Sequence, residues 1–336
     1  MAKSNVSQKQ SIFLKKIEDL IPASSSLVNE LSDILQTSTD SAYRRIRCET
    51  FLSLEEIIKL CDHYNITFDA FSKSENSIVT FTYSKLESNT ASFKAYLDRL
   101  LQDLSTINKS PVKEIIYASE DIPMFHHYNH PVLASFKMFY WMHTILNVPE
   151  LEFEKFNTEN LDEELIEKGN KIAEAYSQIP SIEIWTETTV HSTIKQIEYF
   201  WESGKFKHKN DALKVCSELR NEIELIQKFA EKGTKILKPV NGNQEKNYQL
   251  YFSEMEITNN CVYVNVGSLK SVYLGHFTFS TMSTLNDSYC EETYNWMNTI
   301  IKKSTLISGI SEKHRYQVFK KYFKMIDDLE SRIKES

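Results

Sequence analysis

The segment Thr39-Asp40-Ser41-Ala42-Tyr43-Arg44-Arg45-Ile46-Arg47 gathers hydroxyls, one acid, one phenol and three guanidiniums within nine residues. At helical spacing only Ala42 and Ile46, four residues apart, turn inward, so the polar groups share the outer surface. Such a surface suits hydrogen bonding to DNA base edges and phosphates, as in a helix-turn-helix. A second group with chemical potential is His126-His127-Tyr128-Asn129-His130, with Asp121 just upstream. Imidazoles at 126 or 127 and at 130 could share one helical face and hold a metal. Pro131 favours a loop, however, and neither H-E-x-x-H nor a cysteine partner is present. Surface or loop histidines without a metal are expected there.

The flanking elements are what would position the arginine segment. Leu27, Val28, Leu31, Ile34 and Leu35 follow the period of a helix with one buried face. Gln36-Thr37-Ser38 then makes a short turn, Ser38 is suited to cap the next helix, and Asp40 falls in that helix's first turn. Downstream, Ser53 and Glu56 have capping-box spacing, and Leu54, Ile57, Ile58, Cys61 and Tyr64 form an apolar stripe. Asn65 is expected to end this helix, and Thr67 to cap a last turn that buries Phe71. Two amphipathic helices joined by a three-residue turn also occur in ordinary helical domains, where arginines simply face solvent.

In order and spacing these helices resemble the Cro- and phage-repressor-like (XRE) helix-turn-helix family, over about the first fifth of the chain. Three positions depart from the family pattern: Gln36 replaces the usual turn glycine, Ser32 is the small residue of the scaffold helix, and Cys48-Glu49 stands where Gly-Glu is common. The resemblance implies that Thr39, Asp40, Tyr43 and Arg44 face base edges, because the N-terminal half of the recognition helix enters the major groove. Arg44 would be the strongest reader, pairing with guanine O6 and N7 for roughly 1–3 kcal/mol of discrimination. Ser41, Arg45 and Arg47 would contact phosphates. Asp40 would either accept from a cytosine amino group or cap the helix, the cap being favoured.

Charge weighs against non-specific affinity for DNA. The chain carries a net −7, and from Ser11 to Ser72 six basic residues meet ten acidic ones, a balance of −4. Counterion release is then small, so the expectation is a specific and dimeric binder. With 336 residues and 41% hydrophobic content the chain can fill two or three domains. The N-terminus Met1 to Gln10 is polar, and no apolar run approaches the roughly 18 residues of a membrane span, so a cytoplasmic protein without membrane contact is expected. Five scattered cysteines without a C-x-x-C pair suggest buried thiols rather than disulfides or zinc. Seven glycines against 19 phenylalanines and 17 tyrosines imply aromatic cores and no phosphate-cradling loop, hence no cofactor.

Beyond the polar segment 72–77 the patterns alternate. Strands are expected at Ile78 to Tyr83, Glu114 to Ala118 and Ile182 to Trp185. Helices are expected at Ser92 to Leu104, Pro131 to Leu146, Leu161 to Tyr176, Thr188 to Trp201 and Asn210 to Glu231. The aromatic group Tyr199, Phe200, Trp201 and Phe206 reads as core, with a pocket as the alternative. Tyr248 to Phe252, Cys261 to Val266 and Val272 to Phe279 read as three strands of an antiparallel meander, followed by helices Ser288 to Asn298 and Ser311 to Ile333. The last helix would dock on the sheet or pair across a dimer.

The expected fold is α+β and predominantly helical, with a helix-turn-helix domain over 11–72, a mainly helical domain over 78–235 and a small α+β sensor or dimerisation domain over 245–336. The expected function is transcriptional regulation through double-stranded DNA, as a homodimer with an unknown small-molecule or protein effector. No G-x-S-x-G or P-loop motif occurs, and no enzyme is expected. The alternative is a protein-interaction module fused to an unrecognised hydrolase or defence effector.

Overall fold

Phe13, Leu14 and Ile17 recur at helical spacing on α1 (Ala2–Leu20) and are almost wholly buried, each contributing about 1.5–3 kcal/mol by leaving water. They pack with Leu27, Leu31 and Leu35 of α2 (Leu27–Leu35), Ala42 of α3 (Thr39–Ile46) and Leu60 of α4 (Leu54–Tyr64). The expected three helices are present, and α1, which begins before the expected start at 11, completes their core with Phe13, Leu14 and Ile17. The computed structural model describes residues 2–21, 25–64, 66, 78–159, 161–236, 246–276 and 280–336. Asn65, the Thr67 cap, Phe71 and the linker 72–77 lie outside the described residues.

The rest of the described chain is built on one eight-stranded mixed sheet of order β1-β7-β6-β5-β2-β3-β4-β8. Its strands are β1 (Thr82–Tyr83), β2 (Lys113–Ala118), β3 (Ser181–Trp185), β4 (Tyr248–Phe252), β5 (Cys261–Val266), β6 (Leu269–His276), β7 (Ser280–Thr284) and β8 (Thr305–Leu306). β2, β3 and β4 are parallel neighbours in register Ile115–Ser181–Tyr248, and the remaining pairs are antiparallel. The meander is therefore β5-β6-β7, not the one expected. Tyr248 to Phe252 instead joins β3 in parallel, because the connection from β3 to β4 is helical and long enough for a crossover. The expected division between 78–235 and 245–336 also gives way, since the β2–β5 and β3–β4 ladders tie the two segments into one sheet.

Helices cover both faces. α11 (Asp287–Lys303) lies on the face formed by Ile116, Ala118, Ile184, Tyr263 and Val272, to which it adds Cys290, Met297 and Ile300. Opposite it, α5 (Thr90–Lys109), α6 (Met124–His127), α7 (Pro131–Tyr140) and α8 (Glu163–Ser177) cover Ile115, Tyr117 and Val264. α9 (His191–Glu202), α10 (Lys209–Lys232) and α12 (Glu312–Glu335) complete that layer over Trp185, Tyr248 and Leu250. α12 docks on α10 and α9, and Tyr322 donates to the Thr186 carbonyl at 2.7 Å. The fold is α+β and predominantly helical, as the sequence predicts. Phe200 and Phe206 are buried with Phe136 and Phe156 in edge-to-face and stacked contacts, so the aromatic group is core, while Tyr199 is half exposed. Among the described residues no helix is long and apolar enough to cross a membrane.

Candidate nucleic-acid interface

Two backbone positions shape the presentation of α3. Gln36 ends α2 at φ 51° and Cys48 follows α3 at φ 57°, both in the left-handed region that favours glycine. Both residues thus take a backbone conformation that glycine adopts most easily. Between them Ser38 takes an extended conformation, and its Oγ accepts from Ser41 N at 3.3 Å, so Ser38 is the N-cap. The capping box also forms, Glu56 N donating to Ser53 Oγ at 3.2 Å and Ser53 N to Glu56 Oε2 at 2.9 Å.

With Ala42 wholly buried, α3 presents Thr39, Asp40, Tyr43, Arg44 and Arg47 to solvent. Arg44 Nε lies 3.4 Å from Asp40 Oδ2, and Asp40 has no capping role because Ser38 fills that position. Arg47 sits 5.7 Å from the centre of the Tyr43 ring and 3.7 Å from Glu49. Ser41 is half-buried, its hydroxyl accepting from Ser38 and its carbonyl from Arg45.

Arg45 departs from the expectation of a phosphate contact. Its guanidinium grips Glu56 through Nη2 at 2.6 Å and Nε at 3.1 and 3.2 Å, and Nη1 donates to the Ser41 carbonyl. That hydrogen-bonded grip holds the Glu56 carboxyl below its usual range. Both side chains are largely withdrawn from water, so Arg45 ties α3 to α4 instead of facing a partner. Gln10 braces the same joint: Nε2 donates to the Arg45 and Thr50 carbonyls at 2.8 and 2.9 Å, and Oε1 accepts from Leu52 N at 2.9 Å. Sequence reading passed over Gln10 as part of a polar terminus; the spacing of Phe13, Leu14 and Ile17 was the signal for a buried helix there.

The histidines are not at the surface, although Tyr128 to His130 do form the turn expected before Pro131. Met124–His127 is a short helix, and His126, His127 and His130 are all buried because α8, α10 and the sheet close over them. His126 Nε2 lies 2.8 Å from Glu183, whose carboxylate also accepts from Tyr176, Trp185 and Tyr248 at 2.7, 2.9 and 3.0 Å. Burial alone would raise the Glu183 carboxyl, but His126, Tyr176 and the Lys235 charge hold it below its usual range. His127 Nδ1 lies 2.8 Å from Glu222, where burial lowers the imidazole and pushes the carboxyl up to about 7. Among the described residues His127 Nε2, Glu222 Oε2 and Ser119 Oγ have no hydrogen-bond partner. Lys137, with no exposed surface, donates to Asp121, Thr193 and Gln196 at 3.1, 3.0 and 2.8 Å. Among the described residues no group of three or more His, Cys, Asp or Glu is arranged to hold a metal ion. The cluster bonds helices to the sheet through His126–Glu183 and His127–Glu222, while part of its polar surface is left without a partner.

In comparisons with protein-family models, curated proteins and solved structures, no match to this chain was found.

Proposed function

We propose that this chain is a sequence-specific regulator of transcription that binds double-stranded DNA as a homodimer, with α3 as its recognition helix. One observation carries the reading: Arg44, Arg47, Tyr43, Thr39 and Asp40 share an exposed face of a helix capped by Ser38, while Arg45 and Gln10 lock that helix from behind. The order and spacing shared with XRE-type helix-turn-helix sequences support the same reading. In this mode the N-terminal half of α3 enters the major groove, Arg44 reads a base, and Arg47 with Tyr43 meets the backbone. Two recognition helices related by a dyad would read half-sites about one DNA turn apart. The 78–336 body supplies the dimer contact and the surface for an effector.

The test is binding of the purified chain to a randomised duplex library at two salt concentrations, beside Arg44→Ala. A two-fold-related motif that the variant loses is expected. With two arginines on the exposed face, log Kd should change with log salt by no more than about two per protomer. No enrichment at low salt would reject the reading.

A further inference from the structure

We propose that Asp40 is a specificity-determining residue, holding Arg44 in the position that selects guanine in the major groove of double-stranded DNA. The inference rests on the DNA-binding reading above and adds the residue that sets Arg44 for the guanine expected of it.

Asp40 has been released from the task its position suggests. Ser38 already satisfies the N-cap, so the Asp40 carboxylate, at the second residue of α3, is spare, and it engages Arg44 Nε at 3.4 Å. Acid and base stand four residues apart with the acid nearer the N-terminus, the favourable orientation on a helix. This pairing draws the guanidinium back along the helix toward its N-terminal half, the part that enters the groove. It also uses Nε and leaves both terminal nitrogens for a two-pronged contact with guanine O6 and N7. Neither other arginine of the segment is placed for that role: Arg45 is closed on Glu56, and Arg47 lies against Tyr43 and Glu49 toward the helix end.

In water the Asp40–Arg44 pair is weak, since both side chains are mostly exposed. At the floor of the groove water is displaced and the same charge-assisted contact strengthens, so the alignment takes effect on binding. An acid at this surface also repels every phosphate backbone alike. Asp40 therefore lowers affinity in general and contributes selection in particular, a pair of effects that a merely helix-stabilising residue would not have.

Selected duplexes, and the same duplexes with the preferred guanine pair replaced, would be titrated with the full chain, Asp40→Asn, Asp40→Glu and Arg44→Lys. Circular dichroism melting of each protein would accompany the titrations. For Asp40→Asn, binding to random duplex should tighten several-fold while the preference for guanine falls by about five-fold or more. Asp40→Glu should restore part of the preference, and Arg44→Lys should keep most affinity but lose the preference. An unchanged guanine preference in Asp40→Asn overturns the proposal, as does a preference lost only together with the melting temperature. A wild-type chain that enriches no motif overturns the DNA-binding reading itself, a separate result.

Discussion

Lys16 of α1 lies 2.5 Å from Asp287, the first residue of α11, across 271 positions of sequence. A few residues away, Asp19 accepts from Ser268 in the β5–β6 turn, and Leu285 packs against the core shared by α1 to α4. The first helix is thus bound on one side to the α3–α4 joint through Gln10 and on the other to the sheet. Lys16→Ala, Asp287→Ala and the double variant should reveal a coupling of about 0.2–1 kcal/mol, because Asp287 is half exposed. Urea denaturation of the four proteins checks this. Hydrogen exchange in the α2–α4 amides should rise in either single variant.

Arg44 and Arg45 are adjacent but should differ in what their truncation costs. Arg45→Ala leaves the half-buried Glu56 carboxylate without its partner and should cost about 1–3 kcal/mol. Arg44→Ala removes an exposed side chain and should fall within about 0.5 kcal/mol of the wild type. Chemical denaturation of the two variants separates a structural arginine from one available to a partner.

Glu183 is the most heavily bonded group of the interior, and Glu183→Leu should cost about 3–5 kcal/mol by leaving His126, Tyr176, Trp185 and Tyr248 without their common acceptor. Its carboxyl lies below the ordinary value of 4.5 in the fold. The stability it contributes is therefore full above that value and is lost as pH falls through the lower folded value. Acid unfolding of the variant, followed by circular dichroism, should be shallower than that of the wild type.

Two buried groups give pH slopes of opposite sign. Glu222, pushed up to about 7 by burial, keeps its proton in the fold while the unfolded chain has lost it, so its contribution falls as pH rises from 4.5 to 7. Lys235 donates to the Ile179 carbonyl and to Ser181, and burial brings its ammonium down to about 7 from 10.5. Here the unfolded chain holds the extra proton, so this contribution rises between pH 7 and 10.5. Stability measured from pH 5 to 10 should lose the first slope in Glu222→Gln and the second in Lys235→Met.

The sequence alone determined the local elements. The period of Leu27, Leu31 and Leu35, the Ser38 cap and the Ser53–Glu56 box are short-range relationships, and each forms as it is spelled. Strand patterns were equally legible: the short apolar run in 114–118, which the sheet buries on both faces, and the alternation in 261–266 each mark extended chain. Partner choice was not legible, because a strand's pattern states which face is buried and not which neighbour accepts its hydrogen bonds. Only the tertiary structure set Tyr248 to Phe252 beside β3 and merged the two expected body domains in one sheet. Charge was ambiguous for a related reason. Arg44 and Arg45 are alike as letters, and Glu56, eleven residues on, decides that one is a strut and the other is exposed. The histidines of 126–130 looked like surface groups because histidine and glutamate are polar. Glu183 and Glu222, 57 and 95 residues beyond their imidazole partners, let those rings be buried, and only folding brings such pairs together.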